Sequence, residues 1–340
     1  MSEEFGTVRS YNLDLASPDE FQRLTSPYQH ELLVHCYRFF GSLDEAEDAL
    51  QETWLRAWRS ISSLKDQSAL RAWLYKIATN VSLDMLDNHR ARRLPNLAFA
   101  PADPQSLLPP PILDPIWIDP LPEEYLDWQS LNPEARIELR ESVNLAFLTV
   151  LQLLPGRQRA VLILRDVLGW KAAEVAELLN ISVPAVNSAL QRARSTLKKH
   201  HPGTPSSRDL STPDEQTVTL LDRYIRAWET ADSNSLVSLL REDAVWTMPP
   251  LPVWYRGQKA IREFLEKHLF SRRKPGDVRL TAAPANGCPA FAAYELDEHG
   301  MFKIGAFQIL TIEQNKIVQI DSFLNPDSRF LTRFKLPTAF

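Results

Sequence analysis

The segment that most constrains this chain is Leu94 to Pro133. It is crowded with prolines, three of them consecutive at Pro109, Pro110 and Pro111. Each proline lacks a backbone donor and pushes the preceding residue out of the helical region, so neither a continuous helix nor a central strand can run through here. The 340-residue chain must therefore build its cores on either side. Ile116, Trp117, Ile118, Tyr125 and Trp128 are scattered between the prolines, so parts of this otherwise extended connection are expected to dock on a surface. A second break, His201 to Pro213, carries Pro202, Gly203, Pro205 and three serines.

The flanking blocks read as helix. Leu43, Ala46, Leu50, Trp54 and Ala57 recur at helical spacing, as do Leu70, Trp73, Leu74, Ile77, Val81 and Met85, with a polar loop, Ile61 to Ser68, between them. Glu138 to about Lys199 is helical again. The final third mixes types. Val218, Leu221, Ile225 and Trp228 give an amphipathic helix, and Ile261 to Leu269 another. Phe302, Ile304, Ala306, Gln308, Leu310 and Ile312 alternate as in a half-buried strand, and Glu313 to Lys316 is expected to turn it into a partner, Ile317 to Phe323. The expected fold class is multidomain: two all-α blocks and a C-terminal α+β domain. The boundaries fall at 1–24 (tail), 25–93, 94–137 (acidic, Pro-rich linker), 138–200, 201–213 (linker) and 214–340.

The net charge of -5 hides an alternation. Met1 to Leu50 holds 10 acidic and 3 basic residues, and Pro95 to Glu138 holds 8 and 1. Arg71 to Arg93 holds 5 basic and 2 acidic residues, and Arg140 to His201 holds 9 and 4. Two basic blocks thus alternate with two acidic ones, and local patches set the field that a nucleic-acid backbone meets. No apolar run approaches the ~20 residues of a membrane span, and the N-terminus is polar and acidic, so a cytoplasmic protein is expected. Cys36 and Cys288 lack CxxC spacing, so no disulfide framework, metal site or cofactor is expected.

The most informative chemistry lies in Lys171 to Leu190, KAAEVAELLNISVPAVNSAL. Val175, Ala176 and Leu179 face one side of a short helix, and Asn180 and Ile181 form a tight connection. Ser182 can cap the next helix, with Pro184 in its first turn. Val186, Leu190, Ala193 and Leu197 then stripe one face, opposite Asn187, Ser188, Gln191, Arg192, Arg194 and Lys198. A helix that reads DNA needs this division: apolar residues seat it, while amides and guanidinium groups reach bases and phosphates. An ordinary helix hairpin with a solvated basic face fits the same pattern.

With its upstream neighbour, LLPGRQRAVLILRDVLGW, this segment closely resembles region 4 of sigma-70-type factors. GSLDEAEDALQETWLRAW resembles region 2.2, and ALRAWLYKIATNVSLDMLDNHRARR regions 2.3 and 2.4. Regions 2 and 4 without 1.1 and 3 resemble the extracytoplasmic-function (ECF) layout. REDAVWTMPPLPVWYRGQKAIREFL resembles a SnoaL-like domain, an α+β cone of the NTF2 type, found in a subset that includes a sigma-G-like group. The resemblance implies a subunit that joins core RNA polymerase and directs it to promoters, with no catalysis of its own.

It also implies roles. Asp48, Gln51 and Glu52, with Asp44 and Glu45 nearby, would meet the beta-prime clamp helices, and region 4 the beta flap. Arg71, Trp73, Lys76, Asn80, Asp84, Asn88 and Arg90, along with Tyr75 and His89, lie on the stretch for the -10 element. The loop Ile61 to Leu70 would cradle a flipped base. Lys171, Asn187, Ser188, Gln191, Arg192, Arg194 and Lys198 would read or grip the -35 element. Asn187 and Ala189 stand where many relatives carry Lys or Arg, which implies a weaker electrostatic grip. The tail is expected to contact regions 2 and 4 or the linker and to tune activity. Trp246, Met248, Trp254, Tyr255 and His268 are candidates to line a pocket in it; Asp243 and His268 are the titratable residues at hand for an acid–base pair, but no spacing motif links them and no activity is expected. Two alternatives stay open: a helix-turn-helix regulator with an NTF2-like small-molecule sensor, and an NTF2-type enzyme with a DNA-binding anchor.

Overall fold

The computed structural model describes residues 17–64, 66–86, 91–114, 116–126, 128, 132–200 and 215–340. Asn88, His89, Arg90, most of the N-terminal tail and the 201–213 linker lie outside the described residues.

The first helical block comprises α1 (Pro18–Thr25), α2 (Gln29–Phe40), α3 (Leu43–Ser60) and α4 (Leu70–Leu86). Gly41 ends α2 at φ 65°, the left-handed conformation that glycine adopts without strain. The expected stripe of α3 is inward: Leu43, Ala46, Leu50 and Ala57 are buried. In α4 more than the expected stripe is covered, since Tyr75, Ala78, Thr79 and Ser82 are buried beside Leu70, Leu74 and Val81. The second block explains this. It comprises α6 (Pro133–Val143), α7 (Leu145–Leu151), α8 (Gly156–Leu162, continuing into a wider turn, Ile163–Val167), α9 (Ala172–Leu179) and α10 (Val183–His200). Between the blocks lie one short turn of α-helix, α5 (Pro95–Ala98), and a 3-10 turn, Glu123–Tyr125. Trp170 packs edge-on to Tyr75 at 6.1 Å, and Gly156 lies against Leu83 and Leu86. The buried Arg159 of α8 donates to the Phe39 carbonyl of α2, and the buried Arg38 donates to Ser142 Oγ at 2.8 Å. Leu74, Tyr75, Leu148, Val161 and Leu190 belong to one continuous core.

The tail has α11 (Glu215–Glu229), α12 (Ser233–Leu239), β1 (Leu240–Thr247), β2 (Trp254–Arg256), α13 (Gln258–Phe264), β3 (Val278–Ala282), β4 (Ala290–Leu296), β5 (Phe302–Glu313), β6 (Lys316–Leu324) and α14 (Ser328–Arg333). The sheet order is β2-β1-β6-β5-β4-β3, antiparallel except for the β1–β6 pair. Gln314 and Asn315, both at positive φ, make the two-residue turn between the paired Glu313 and Lys316.

Two expectations are corrected in detail. The buried face of α11 runs Thr217, Leu220, Tyr224, Ala227 and Trp228, while Val218 is exposed. In β5 the alternation does not hold one face. The pairing with β4 slips by one residue at Gly305, so Phe302 lies with Phe307 and Ile309 in the core shared with the helical blocks, whereas Leu310 joins the core under α11–α13. Both faces of the sheet are thereby covered.

The proline-rich strap docks as expected, with Trp117, Ile118, Leu121 and Leu126 buried. It is bonded to the tail at Ala102 N–H to the Trp254 carbonyl (2.9 Å) and at Ile112 N–H to the Pro250 carbonyl (2.9 Å). At the seam the fully buried Asn286 joins three parts. Its side-chain amide donates to Tyr37 Oη (3.1 Å) and the Val143 carbonyl (2.7 Å), and its carbonyl accepts from Leu121 N–H (2.8 Å).

Candidate nucleic-acid interface

The helix pair α9–α10 is built as its sequence implies. Asn180 adopts φ 51° to close α9, and Ser182 Oγ accepts from Ala185 N–H at 3.3 Å to start α10. Val186, Ala189, Leu190 and Ala193 are buried. Asn187, Ser188, Gln191, Arg192 and Lys198 are exposed on the other side, and Lys171 is exposed where α9 begins. Ala189 faces inward, so a basic residue there would point at the core; its absence removes no DNA contact. Arg194 is also exposed, but its guanidinium holds Asp166 through two bonds of 2.7 and 2.8 Å. It braces α10 against the preceding turn as well as facing solvent.

The candidates on α4 are treated differently. Arg71 is bound to the Glu31 carboxylate at 2.8–3.2 Å and stacks over Tyr75 at 5.1 Å. Tyr75 itself is 2% exposed, wedged between His35 and Trp170, and its hydroxyl bonds Glu31, so it is not free to stack on a base. Burial, helped by Arg38, pushes the His35 imidazole down to about 3, so it stays neutral against Thr79 Oγ1. Asp84 is engaged by Arg56 at 2.7 Å. Trp73 and Asn80 are half-buried, and Lys76 is exposed. In the preceding loop Ile61 and Leu64 are buried, while Asp66 caps Ser68 N–H at 2.9 Å.

On α3 the acidic residues divide. Asp48 and Gln51 are exposed and Glu52 pairs with Arg56 at 2.7 Å. Leu55 (51% exposed) and Trp58 (36%) extend this face by two further turns. Neither belongs to the apolar stripe that sequence spacing picked out, and nothing in that spacing marked them as part of a binding face. Glu45 turns to the nearly buried Arg92 at 3.0 Å, which also donates to the Trp117 carbonyl. Asp44 and Glu47 are both bound by Arg333 of α14, at 2.7 and 2.8 Å.

Residues 24–92 match the family of sigma-70 region 2, residues 144–197 that of sigma-70 region 4, and residues 221–320 that of SnoaL-like domains. The chain is 42% identical over 324 residues to the ECF RNA polymerase sigma factor SigG of Mycobacterium tuberculosis, across 94% of this chain and 85% of that protein. The chain belongs to the ECF sigma factors. It is also 29% identical over 319 residues to SigJ of the same organism, across 91% of each chain. The crystal structure of M. tuberculosis SigJ superposes with a TM-score of 0.60 at 23% identity, covering 95% of this chain and 100% of that one, which extends the fold likeness over helical blocks and tail alike. With sigma regions 2 and 4 in place, the protein acts with RNA polymerase in promoter-specific transcription initiation.

The tail of this ECF sigma factor does not bring its five pocket candidates to an open space. Trp246, Met248 and Tyr255 are buried in the core under α11–α13, where Phe264 packs on Trp246 at 5.9 Å and stacks on Tyr255 at 4.6 Å. Trp254 donates to the Phe99 carbonyl of the strap at 2.9 Å, and His268 Nε2 meets the Pro104 carbonyl at 3.1 Å. Asp243 is held by Arg241 at 2.5 Å, which keeps its carboxyl below the usual range. Asp243 and His268 thus have separate partners and form no acid–base pair. One buried carboxyl escaped the sequence reading. Asp321 is 1% exposed, accepts from Thr247 Oγ1 (2.7 Å) and Gln319, and is pushed up to about 6 by burial, against the pull of those hydrogen bonds. Among the described residues no three side chains cluster to hold a metal, and no helix is long and apolar enough to cross a membrane.

Proposed function

We propose that this ECF sigma factor is a non-catalytic, cytoplasmic specificity subunit, folded here in a closed state that its tail maintains. The observation that carries the reading is the single core shared by regions 2 and 4. Elements centred at -10 and -35 are about 85 Å apart along a duplex rising ~3.4 Å per base pair. Helices locked into one core cannot address both, so the blocks must part before they read a promoter. In the parted state α10 reads the -35 element through Asn187, Ser188, Gln191 and Arg192, with Lys171, Arg194 and Lys198 on phosphates. Trp73, Lys76 and Asn80, joined by Arg71 and Asp84 once their internal partners release them, serve the -10 element, as do Asn88 and Arg90.

Asp48, Gln51 and Glu52, with Leu55 and Trp58 beside them, suit a basic, partly apolar helical partner, the role of the beta-prime clamp helices; region 4 meets the beta flap. Arg333 occupies Asp44 and Glu47 next to that face, so the tail and the polymerase compete for α3. Arg333→Glu places like charges against Asp44 and Glu47 and is expected to strengthen binding of core polymerase by the full chain and to raise promoter-specific transcript yield in vitro. Weaker or unchanged binding would overturn the closed-state reading. Removal of the chain after Pro205 is expected to alter core binding and transcription together; no change in either would show that the tail tunes nothing.

A further inference from the structure

Leu43 and Asp44 at the start of α3, the strap around Trp117 to Pro120, and the loop from Phe323 into α14 enclose a cleft of about 290 Å³. That is near the lower end of small-molecule sites, the size of one ring with a short substituent. Trp117, Pro249, Pro250, Phe323 and Phe330 supply flat apolar walls. Its carboxylates have partners already. Asp119 accepts from Leu43 N–H at 3.0 Å, Asp327 accepts from Phe330 N–H at 2.8 Å, and Asp44 is bound by Arg333. Arg333 is likewise spent between Asp44 and Glu47.

Arg329 differs. It stands at the mouth, its side chain 75% exposed, and its nearest carboxylate oxygen is on Asp44 at 3.7 Å, beyond hydrogen-bond distance. A guanidinium offers five donors in a planar fork that matches a carboxylate. The cleft therefore pairs apolar walls with one cationic fork whose capacity is largely unused.

We infer that this cleft binds a small aromatic carboxylate, its ring against Trp117 and the two prolines and its carboxylate on Arg329. The walls come from region 2, the strap and the tail, which enclose the space together only while the three are docked. A ligand that binds one conformation shifts the population toward it. Occupancy therefore holds the sigma factor closed and lowers transcription, a consequence that rests on the closed-state reading above. The binding claim does not.

The experiment titrates 4-fluorobenzoate into the full-length protein and follows the ligand by fluorine NMR, with 4-fluorobenzamide as the uncharged counterpart. Arg329 is exposed, so Arg329→Ala leaves the packing intact. The expected result is saturable binding of the carboxylate, weakened roughly tenfold or more by Arg329→Ala and by the exchange of carboxylate for amide, the loss of a charge-assisted pair. No saturation at millimolar ligand, or equal affinity for acid and amide, or equal affinity in the variant, overturns the site. In vitro transcription under saturating 4-fluorobenzoate is expected to fall with the wild-type chain and to resist the ligand with Arg329→Ala. Saturable, Arg329-dependent binding without that fall would uphold the site and overturn its link to the closed state.

Discussion

The two helices that carry the proposed DNA contacts, α4 and α10, stand on the same core and carry similar chemistry, yet the fold treats them in opposite ways. On α10 the apolar residues are turned in and the polar candidates Asn187, Ser188, Gln191 and Arg192 are turned out. On α4 three candidates are drawn into internal ties, Arg71 to Glu31, Asp84 to Arg56, and Tyr75 under Trp170, while Lys76 is exposed. The difference lies in how each helix is tied: Glu31 of α2 and Arg56 of α3, both in region 2, hold Arg71 and Asp84, and Trp170 of region 4 covers Tyr75. Region 4 lies across α4, whereas the outer face of α10 meets solvent. A surface with free polar groups and one partly engaged or masked thus coexist on one protein.

The largest expected effect tests what does the masking. Asn286→Ala removes the amide that joins tail, strap and both helical blocks, leaving Leu121 N–H and the Val143 carbonyl unpaired. Two orphaned buried groups at about 1–3 kcal/mol each cost roughly 2–6 kcal/mol, read as a lower midpoint in chemical denaturation. A loss under about 1 kcal/mol would mean that the seam is held elsewhere.

A second contrast separates the helices directly. In the full chain, Arg192→Ala is expected to weaken binding to a -35 duplex by about 1–3 kcal/mol. Lys76→Ala is expected to leave the free protein's affinity for a -10 duplex unchanged within about twofold, since on the closed-state reading the exposed Lys76 stands beside Arg71 and Asp84 that are still tied internally. Equal losses from both would erase the asymmetry, and unchanged -35 affinity in Arg192→Ala would remove that residue from the interface.

Acidity sharpens the contrast from the tail's side. Asp321 is held near 6 by burial, above its unfolded value of about 3.9, so the folded state binds its proton more tightly. Its contribution to stability is full below about pH 4 and is lost as pH rises through 6, a span of roughly 1–3 kcal/mol. His35 slopes the other way: its folded value of about 3 lies below the unfolded one, so its contribution is lost as pH falls from about 6.5. Asp321→Asn should flatten the difference curve, variant minus wild type, above pH 6 and reveal the slope between 4 and 6. A pH-independent difference would show that Asp321 does not titrate there.

The smallest expected effect is Glu31→Gln, which frees Arg71 from an exposed pair worth about 0.2–1 kcal/mol. A modest rise in affinity for single-stranded -10 DNA is the expected outcome; a fall would assign Glu31 a positive role in DNA binding.

Much of this was legible in the linear chain because it depends on neighbours in sequence. Helical spacing placed the inner stripes of α3 and α10, Asn180 and Ser182 marked the turn between α9 and α10, and the prolines forecast a strap that docks. The face of α10 could be read because one side of it meets water. The stripe of β5 could not be followed through Gly305, because a bulge changes parity and only pairing with β4 reveals it. Nor could spacing tell that α4 would be covered twice, or that Trp246 and Tyr255 would fill their own domain's core while Trp254 and His268 turned to the strap.

What the sequence by itself determined is therefore the parts: two helical sigma regions, a proline-rich strap, an α+β tail and the amide-and-arginine face of α10. Only the tertiary structure decided their state. Arg333 against Asp44 and Glu47, Asn286 against Tyr37, and Trp170 against Tyr75 join residues far apart in the chain. Local pattern encodes which side of a helix is apolar, but which partner covers that side is set by contacts that no local pattern records.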